Sequence, residues 1–352
     1  MKINSLSLTN YRSHKKRHVE FAANSTLIFG NNGAGKTNIL EAIHMLSTTK
    51  SFRAEYERDV INHDADFARI DATVEVENEK NKLEMLIIKS KTFENASSKK
   101  VAINKTTKSL QKFAGLFNSV LFSPEDIDLV TGSPAHRRKY IDLIMFQIDY
   151  EYKKATAAYT KALRQRNKLL EMIFKENRGQ DQIGFWTQKI LESGKVIQTK
   201  RDELFKTLTP KLIENGEKLN PNHTHFTIKY QKNEISEARL ESHSEKEIYA
   251  RTTLVGPHRD DFEIFINERG LAGFGSRGQQ RSAVLALKLS EMDYLSERIG
   301  ERPVLLLDDI FSELDERHRA AVTSIMDLQQ TIVTSAEDLK DLKFENVINL
   351  LR

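Results

Sequence analysis

Cysteine is absent from the 352 residues, which excludes disulfides, thiolate metal sites and a cysteine nucleophile and fits a reducing compartment. Long apolar runs are also missing, since none approaches the ~18 residues that a membrane span needs. Met1 to Asn10 alternate polar and apolar residues and lack the apolar core of a signal peptide, so the expectation is a cytosolic protein without a membrane partner. No large excess of one charge is present: 54 basic against 50 acidic residues leave +4 and a pI of about 8.9. That balance permits a nucleic-acid partner without requiring one. What remains, 39% hydrophobic and 30% charged, is an ordinary globular composition. The length suits roughly two domains at ~100–200 residues each.

Against these absences, one motif is complete. Thr26 to Phe29 read as a short buried strand, and Gly30-Asn31-Asn32-Gly33-Ala34-Gly35-Lys36-Thr37 follow it, matching G-x-x-x-x-G-K-[ST] at every fixed position. Asn38 then opens a stretch in which Ile39, Leu40, Ile43 and Leu46 recur at helical spacing. Glycines let backbone N–H groups close around phosphates at a helix start, Lys36 reaches the outer phosphates, and the Thr37 hydroxyl suits Mg2+.

Such a loop needs an acidic strand end to hold its metal. Val304 to Leu307 form a continuous apolar run, as a strand buried on both faces does, and Asp308-Asp309 end it. Asp308 is the candidate Mg2+ ligand through water, and Asp309 is placed to orient or deprotonate an attacking water. Most of the chain lies between Thr37 and this strand, so a large segment is inserted between the two halves of one nucleotide site. An Asn-Lys-x-Asp guanine reader is absent too, because Asn81-Lys82-Leu83-Glu84 and Asn104-Lys105-Thr106-Thr107 both lack the aspartate.

Gly273 to Ser282, GFGSRGQQRS, precede an apolar-faced helix running to about Arg298. Ser276, Gly278 and Gln279 at its start are either a plain helix cap or a phosphate-binding surface made of a hydroxyl and free N–H groups. The complete phosphate loop and acidic strand end elsewhere in the chain favour the second reading.

This order of motifs resembles ATP-binding-cassette ATPases, whose signature Ser-x-Gly-Gln meets the γ-phosphate of ATP held by a partner subunit. The resemblance implies two chains sandwiching two ATPs, with Ser276, Arg277 and Gly278 at the dimer interface. Ser312-Glu313-Leu314-Asp315 match the loop that crosses it, which adds Ser312 and Asp315. The switch histidine of many such ATPases is missing, its place after Ile332-Val333 being taken by Thr334 or Ser335.

The chain further resembles the RecF family of repair ATPases, related to SMC heads. Leu8 to Arg12, Leu121 to Asp126, Gly132-Ser133-Pro134 with Arg137-Arg138, Gly256 to Asp261, Ser276 to Arg281 and Leu307 to Asp315 carry this likeness, in the family's order along nearly the whole chain. It implies an α/β ATP-binding-cassette-type, SMC-like P-loop ATPase head formed by both ends of the chain, with a mainly helical arm inserted. The head would occupy residues 1–122 and 251–352, and the arm 123–250. The resemblance also implies ATP and Mg2+ as cofactors and ATP-dependent dimerisation on double-stranded or gapped DNA. RecR with RecO, RecA and single-strand-binding protein are the implied partners. It puts Arg12 near the nucleotide.

Within the insertion, Ser133-Pro134 start a helix, a second spans about 149 to 176 and ends at Asn177-Arg178-Gly179, and a third stops near Pro210. Ala72 to Ile88 and Val101 to Ile103 read as strands of an antiparallel lobe, with a lysine-rich loop at Lys99-Lys100. On the long helix Lys154, Lys161, Arg164, Lys168 and Lys175 share a face, with Arg137-Arg138-Lys139 nearby in sequence. This is either a sequence-tolerant phosphate-neutralising surface or a solvated helix face. Arg12 to Arg17 form a second basic cluster.

His258, Asp260 and Asp261 in GPHRDD make a poor nuclease ligand set, because adjacent strand residues point to opposite faces. A structural turn joining arm to head is the better reading. Among rival classes, a transporter ATPase would carry a glutamine loop and switch histidine, and an ATPase-coupled nuclease would need a catalytic domain after Asp315. An ATP-binding scaffold without hydrolysis stays open.

Overall fold

The computed structural model describes residues 1–350 except 91, 93–95, 220–224, 338 and 340. Its strands are β1 (Lys2–Tyr11), β2 (His14–Glu20), β3 (Ser25–Phe29), β4 (Phe67–Val76), β5 (Glu79–Lys89), β6 (Ser97–Ile103), β7 (Thr106–Lys108), β8 (Ser119–Phe122), β9 (Phe226–Gln231), β10 (Asp261–Ile266), β11 (Arg269–Gly270), β12 (Val304–Asp308), β13 (Thr331–Ser335) and β14 (Asn346–Asn349). The helices longer than one turn are α1 (Lys36–Thr48), α2 (Pro134–Ile148), α3 (Tyr150–Glu176), α4 (Gln180–Leu219), α5 (Glu237–Ser242), α6 (Ser244–Ala250), α7 (Arg277–Ile299) and α8 (Glu316–Met326).

Two sheets sandwich α1. One is parallel, in the order β14-β3-β13-β12-β8, and draws strands from both ends of the chain. Leu305 to Leu307 of β12 are fully buried because the strand has a hydrogen-bonded neighbour on each side and packed layers on both faces. The other sheet, β2-β1-β4-β5-β6-β7, is antiparallel and alternates inward and outward residues: Ala68, Ile70, Ala72 and Val74 of β4 face inward, as do Leu83, Met85 and Ile87 of β5. These side chains meet Ile39, Leu40, Ile43 and Leu46 of α1 in one core. Three of the hairpins turn on residue pairs with positive φ, Glu77-Asn78, Asn104-Lys105 and Asn267-Glu268, whose backbone matches the twist of two-residue hairpin turns. Lys99 and Lys100 lie within β6, correcting the expected loop there.

The insertion is mainly helical, and α3 ends at Asn177 in the left-handed conformation as the sequence suggests. The expected stop at Pro210 is wrong, since α4 continues through it to Leu219. A mid-helix proline costs roughly 3 kcal/mol by losing a hydrogen bond and crowding the preceding turn. Burial of Leu208, Leu212 and Leu219, together with hydrogen bonds from Asn215 to Ser290 and Asp293 of α7, offsets that cost.

The arm shares its core with the head: Ile190, Leu204 and Leu208 belong to the same cluster as Leu287, Leu305 and Leu307. β9, before the 250/251 boundary, also pairs with β10 after it, from Phe226↔Ile266 to Gln231↔Asp261. Among the described residues no helix is long and apolar enough to cross a membrane.

Candidate functional site

All strands of the central sheet run parallel, so their C-terminal ends share one edge, where such sheets place their ligands. At this edge β3 leads into the glycine loop, β12 ends in Asp308 and β13 ends in Ser335. Gly33 and Gly35 have φ of 84° and 91°, a region that side-chain-bearing residues avoid. A Cβ on Gly35 would also lie 2.6 Å from the His14 ring. The loop is therefore glycine-rich for both conformational and steric reasons, and its backbone forms a cradle at the start of α1.

Lys36 is buried and folds back over this loop, its Nζ donating to the Gly30 and Asn31 carbonyls at 2.7 and 3.2 Å. The Thr37 hydroxyl donates to Asp308 Oδ1 at 2.9 Å, which brings together two residues far apart in sequence. A second hydroxyl, Thr334 of β13, donates to the same oxygen at 2.7 Å and accepts from the Asp309 N–H at 3.0 Å. Burial pushes the Asp308 carboxyl above its usual range, and the bonds from Thr334 and Thr37 pull it back. The Glu125 carboxylate adds to the push from the turn after β8, beside β12. Asp309 is half-buried, with φ of 52°.

The Thr37 hydroxyl and the Asp308 carboxylate offer hard oxygen ligands of the kind a small cation takes. No group of three or more His, Cys, Asp or Glu able to hold a metal occurs among the described residues. A hydroxyl and one carboxylate completed by phosphate oxygens and water suit Mg2+, which rarely uses an all-protein cage.

Ser276 caps α7. Its hydroxyl accepts from the Gln279 N–H at 3.3 Å while Gln279 Oε1 accepts from the Ser276 N–H at 2.9 Å. Ser276, Arg277 and Gly278 are nonetheless exposed, so the cap presents an open face. Two links tie this helix to the Ser312–Asp315 loop. Arg281 reaches the Glu313 carbonyl at 3.1 Å, and His318 bridges Asp315 Oδ1 and Ser282 Oγ at 2.7 Å each. Ser312 donates to the Asp309 carbonyl at 2.9 Å, which connects the same loop to the acidic strand end.

Of the basic residues, Lys154, Lys161, Arg164 and Lys168 are exposed along α3 as expected. Arg137 is a correction to the expected phosphate-binding surface, whereas Arg138 is only half-buried. Arg137 is buried and grips both oxygens of Asp261 at 2.6 and 2.8 Å, while Arg138 donates to the Asp260 carbonyl at 2.9 Å. The Arg137 charge is spent inside the protein, where phosphate cannot reach it without breaking a buried pair.

Arg12 is likewise committed. Its Nε and Nη2 hold Glu41 at 2.8 and 2.6 Å and Nη1 donates to the Asp59 carbonyl at 2.8 Å, which uses three of the five guanidinium N–H groups. The neighbours touch the loop instead: Asn38 Nδ2 donates to Ser13 Oγ at 2.9 Å, and His14 Nε2 contacts the Gly35 carbonyl at 3.1 Å.

GPHRDD is the knot between arm and head. Asp260 is fully buried and accepts from Gln198, from Arg201, from the Asn233 N–H at 2.9 Å and from the Tyr230 hydroxyl. His258 is held by the Tyr159 hydroxyl and the Thr253 carbonyl, and burial pushes its pKa down to about 4.

Sequence reasoning missed Thr334's bond to Asp308, the His14 contact and Glu125. The first had a visible signal in a hydroxyl standing at the expected switch position, and the second in a histidine beside Arg12. The third follows only once β8 is known to flank β12.

Known proteins share this sequence pattern and fold. The RecF/RecN/SMC N terminal domain family matches residues 2–350. The DNA replication and repair protein RecF of Herpetosiphon aurantiacus is 34% identical over 364 residues, covering 97% of this chain and 94% of that protein. The RecF of Lachnoclostridium phytofermentans is 34% identical over 339 residues, covering 95% and 92% respectively. A solved structure of the recombination mediator protein RecF with ATP, in the RecFOR pathway, superposes with a TM-score of 0.88 at 31% identity, over 99% of this chain and 95% of that one. An Smc head domain from Pyrococcus furiosus shares the fold, with a TM-score of 0.53 at 18% identity over 99% of this chain and 92% of that one. Likeness that runs from end to end, and not only through the phosphate loop, places this chain in the RecF family of DNA replication and repair ATPases, kin of the SMC heads.

Proposed function

We propose that the chain binds ATP with Mg2+, closes two copies face to face on double-stranded DNA, and reopens on slow hydrolysis. The observation that carries this is the convergence of Lys36, Thr37, Asp308 and Thr334 at one sheet edge while Ser276 and Gly278 stay exposed on the same head. A phosphate loop whose complement faces outward is half of a site, and a second copy supplies the other half. ATP held this way stabilises the closed state through contacts the open state cannot make.

Each residue has a distinct task. Backbone N–H groups from Gly30 to Thr37, with Asn38 at the start of α1, cradle the phosphates, and Lys36 swings from the Gly30 and Asn31 carbonyls to the outer ones. Thr37 and Asp308 would hold Mg2+, which would neutralise charge developing on the transferred phosphate. Thr334 fixes the Asp308 carboxylate and, through the Asp309 N–H, the turn that aims the Asp309 carboxylate at an attacking water. Across the interface Ser276, Gly278 and Gln279 meet the γ-phosphate, with Arg277, Ser312 and Asp315 alongside.

The exposed row of Lys154, Lys161, Arg164 and Lys168 supports binding to DNA backbone without base reading. We place the preferred target at single-strand/double-strand junctions of gaps. The solved relative described with ATP in the RecFOR pathway supports ATP and that pathway, and we propose RecR and RecO as companions and RecA loading onto DNA coated by single-strand-binding protein as the outcome.

Substituting Asp309 by Asn tests hydrolysis. ATP binding retained with turnover lost by about two orders of magnitude or more is expected of a group acting on the water. Unchanged turnover would remove Asp309 from the mechanism, and a wild type that binds ATP without measurable turnover on DNA would make the chain an ATP-gated scaffold.

A further inference from the structure

We propose that the cleft between α3 and the head segments at Thr49-Lys50 and Leu110 to Ala114 seats the phosphodiester backbone of a DNA strand, with Lys50 and Gln111 on the head side and Lys153, Lys161 and Arg164 on the arm side. The proposal rests on the reading that the chain binds duplex DNA, and it adds a second wall to the arm surface.

The cleft has a volume of about 370 Å³. Among the described residues that line it four are cationic and none is acidic, in a chain whose basic and acidic residues number 54 and 50. Segregation of charge on this scale has a cost from mutual repulsion, and an anionic occupant relieves it. The cations are also positioned. Lys50 Nζ stands 4.4 Å over the Phe146 ring, and Lys153 Nζ donates to the Ala114 carbonyl at 2.6 Å, so two ammonium groups are fixed at the cleft by the protein itself. Burial pushes the Lys153 ammonium down to about 8, with Asp149 opposing, and a nearby phosphate would stabilise the charged form. Thr156, in the same wall, has its Oγ1 buried without a hydrogen-bond partner among the described residues.

A small anion would need one such point. Here Lys161 and Arg164 belong both to the cleft and to the exposed cationic row from Lys154 to Lys168, which runs about 21 Å along the helix at 1.5 Å per residue. A row of that length matches an extended polyanion. The head-side wall, at Thr49 and Lys50, is the C-terminal end of α1, whose first turn carries Lys36 and Thr37, so one rigid element joins this cleft to the phosphate loop.

The test is fluorescence anisotropy of a labelled duplex across a salt series, using the full chain and Lys50→Gln and Arg164→Gln in the cleft against Lys154→Gln and Lys168→Gln outside it. ATP binding serves as the folding control. Each cleft variant is expected to weaken binding about fivefold and to lower the salt slope by about one, with smaller losses outside the cleft. Cleft variants at wild-type affinity, with the outer pair weakened, would overturn the cleft while leaving DNA on the arm. Wild type that binds no duplex would overturn both. Should inorganic pyrophosphate protect the cleft from lysine modification while the cleft variants bind DNA normally, the occupant is a small phosphate ligand and the proposal fails.

Discussion

Arg137 separates a structural cation from a DNA-binding one, because its two possible roles predict opposite results. Its guanidinium makes three bonds, two to Asp261 at 2.6 and 2.8 Å and one to the Gly132 carbonyl at 2.8 Å. The two side chains are 9% and 17% exposed, so the pair is largely out of water. Removing one partner of a buried pair costs roughly 3–5 kcal/mol, since the other charge is left uncompensated. Asp261 keeps a bond from the Phe262 N–H and some access to water, which puts Arg137→Ala near the lower end, about 3 kcal/mol.

The double variant Arg137→Ala/Asp261→Ala removes both charges and should cost less than the sum of the single changes, by about 2 kcal/mol of coupling. Urea unfolding of the four proteins measures this, and the salt dependence of duplex binding by the Arg137→Ala variant measures the other role. Loss of stability with an unchanged salt slope is expected. A slope reduced by about one, with stability within about 0.5 kcal/mol of wild type, would refute the burial argument and restore Arg137 as a phosphate ligand.

Acid should destabilise the head through His44. Burial, reinforced by Lys288 and Lys139, holds its pKa down to about 3, so the folded state favours the neutral ring. This stability is complete above the unfolded value near 6.5 and is lost as pH falls, reaching about 2 kcal/mol at pH 5. His44→Gln should therefore flatten the change in unfolding free energy between pH 7 and 5 by that amount, and an unaltered slope would contradict it. Pro210→Ala should stabilise α4 by about 2 kcal/mol, because it restores a helical N–H and relieves crowding at little cost in unfolded-state entropy. A variant less stable than wild type in urea would mean that the proline ring packs better than the helix it interrupts.

The nucleotide site was legible where its chemistry is local. The glycine loop announces itself because its tight turn demands glycine, and Gly33 and Gly35 are indeed left-handed. The pairing of Thr37 with Asp308 could be inferred because the phosphate-loop motif calls for an acidic strand end beside its hydroxyl, and the two side chains are hydrogen-bonded. Charge was less legible, since a sequence displays an arginine without its partner. Arg137 looked like Lys154, yet its carboxylate lies more than a hundred positions away, while Lys154 stays exposed.

Tertiary packing overruled local rules at Pro210, and the β9–β10 pairing crosses the boundary drawn between arm and head because strand partners far apart leave no mark on composition. The strongest motif without catalytic chemistry, GPHRDD, resolved into the buried Asp260 and its donors on α4 and in the segment around β9.

The most direct test of the account is the molecular mass in solution, by light scattering, with and without ATP and Mg2+, for the wild type and Ser276→Arg. Ser276 is exposed and, among the described residues, its side chain bonds only locally within the α7 cap, so the substitution spares the phosphate loop of its own chain. The account predicts that ATP doubles the wild-type mass, while the variant binds ATP and stays a monomer. Equal behaviour of the two proteins would reduce the α7 start to a helix cap and contradict the two-chain ATP clamp.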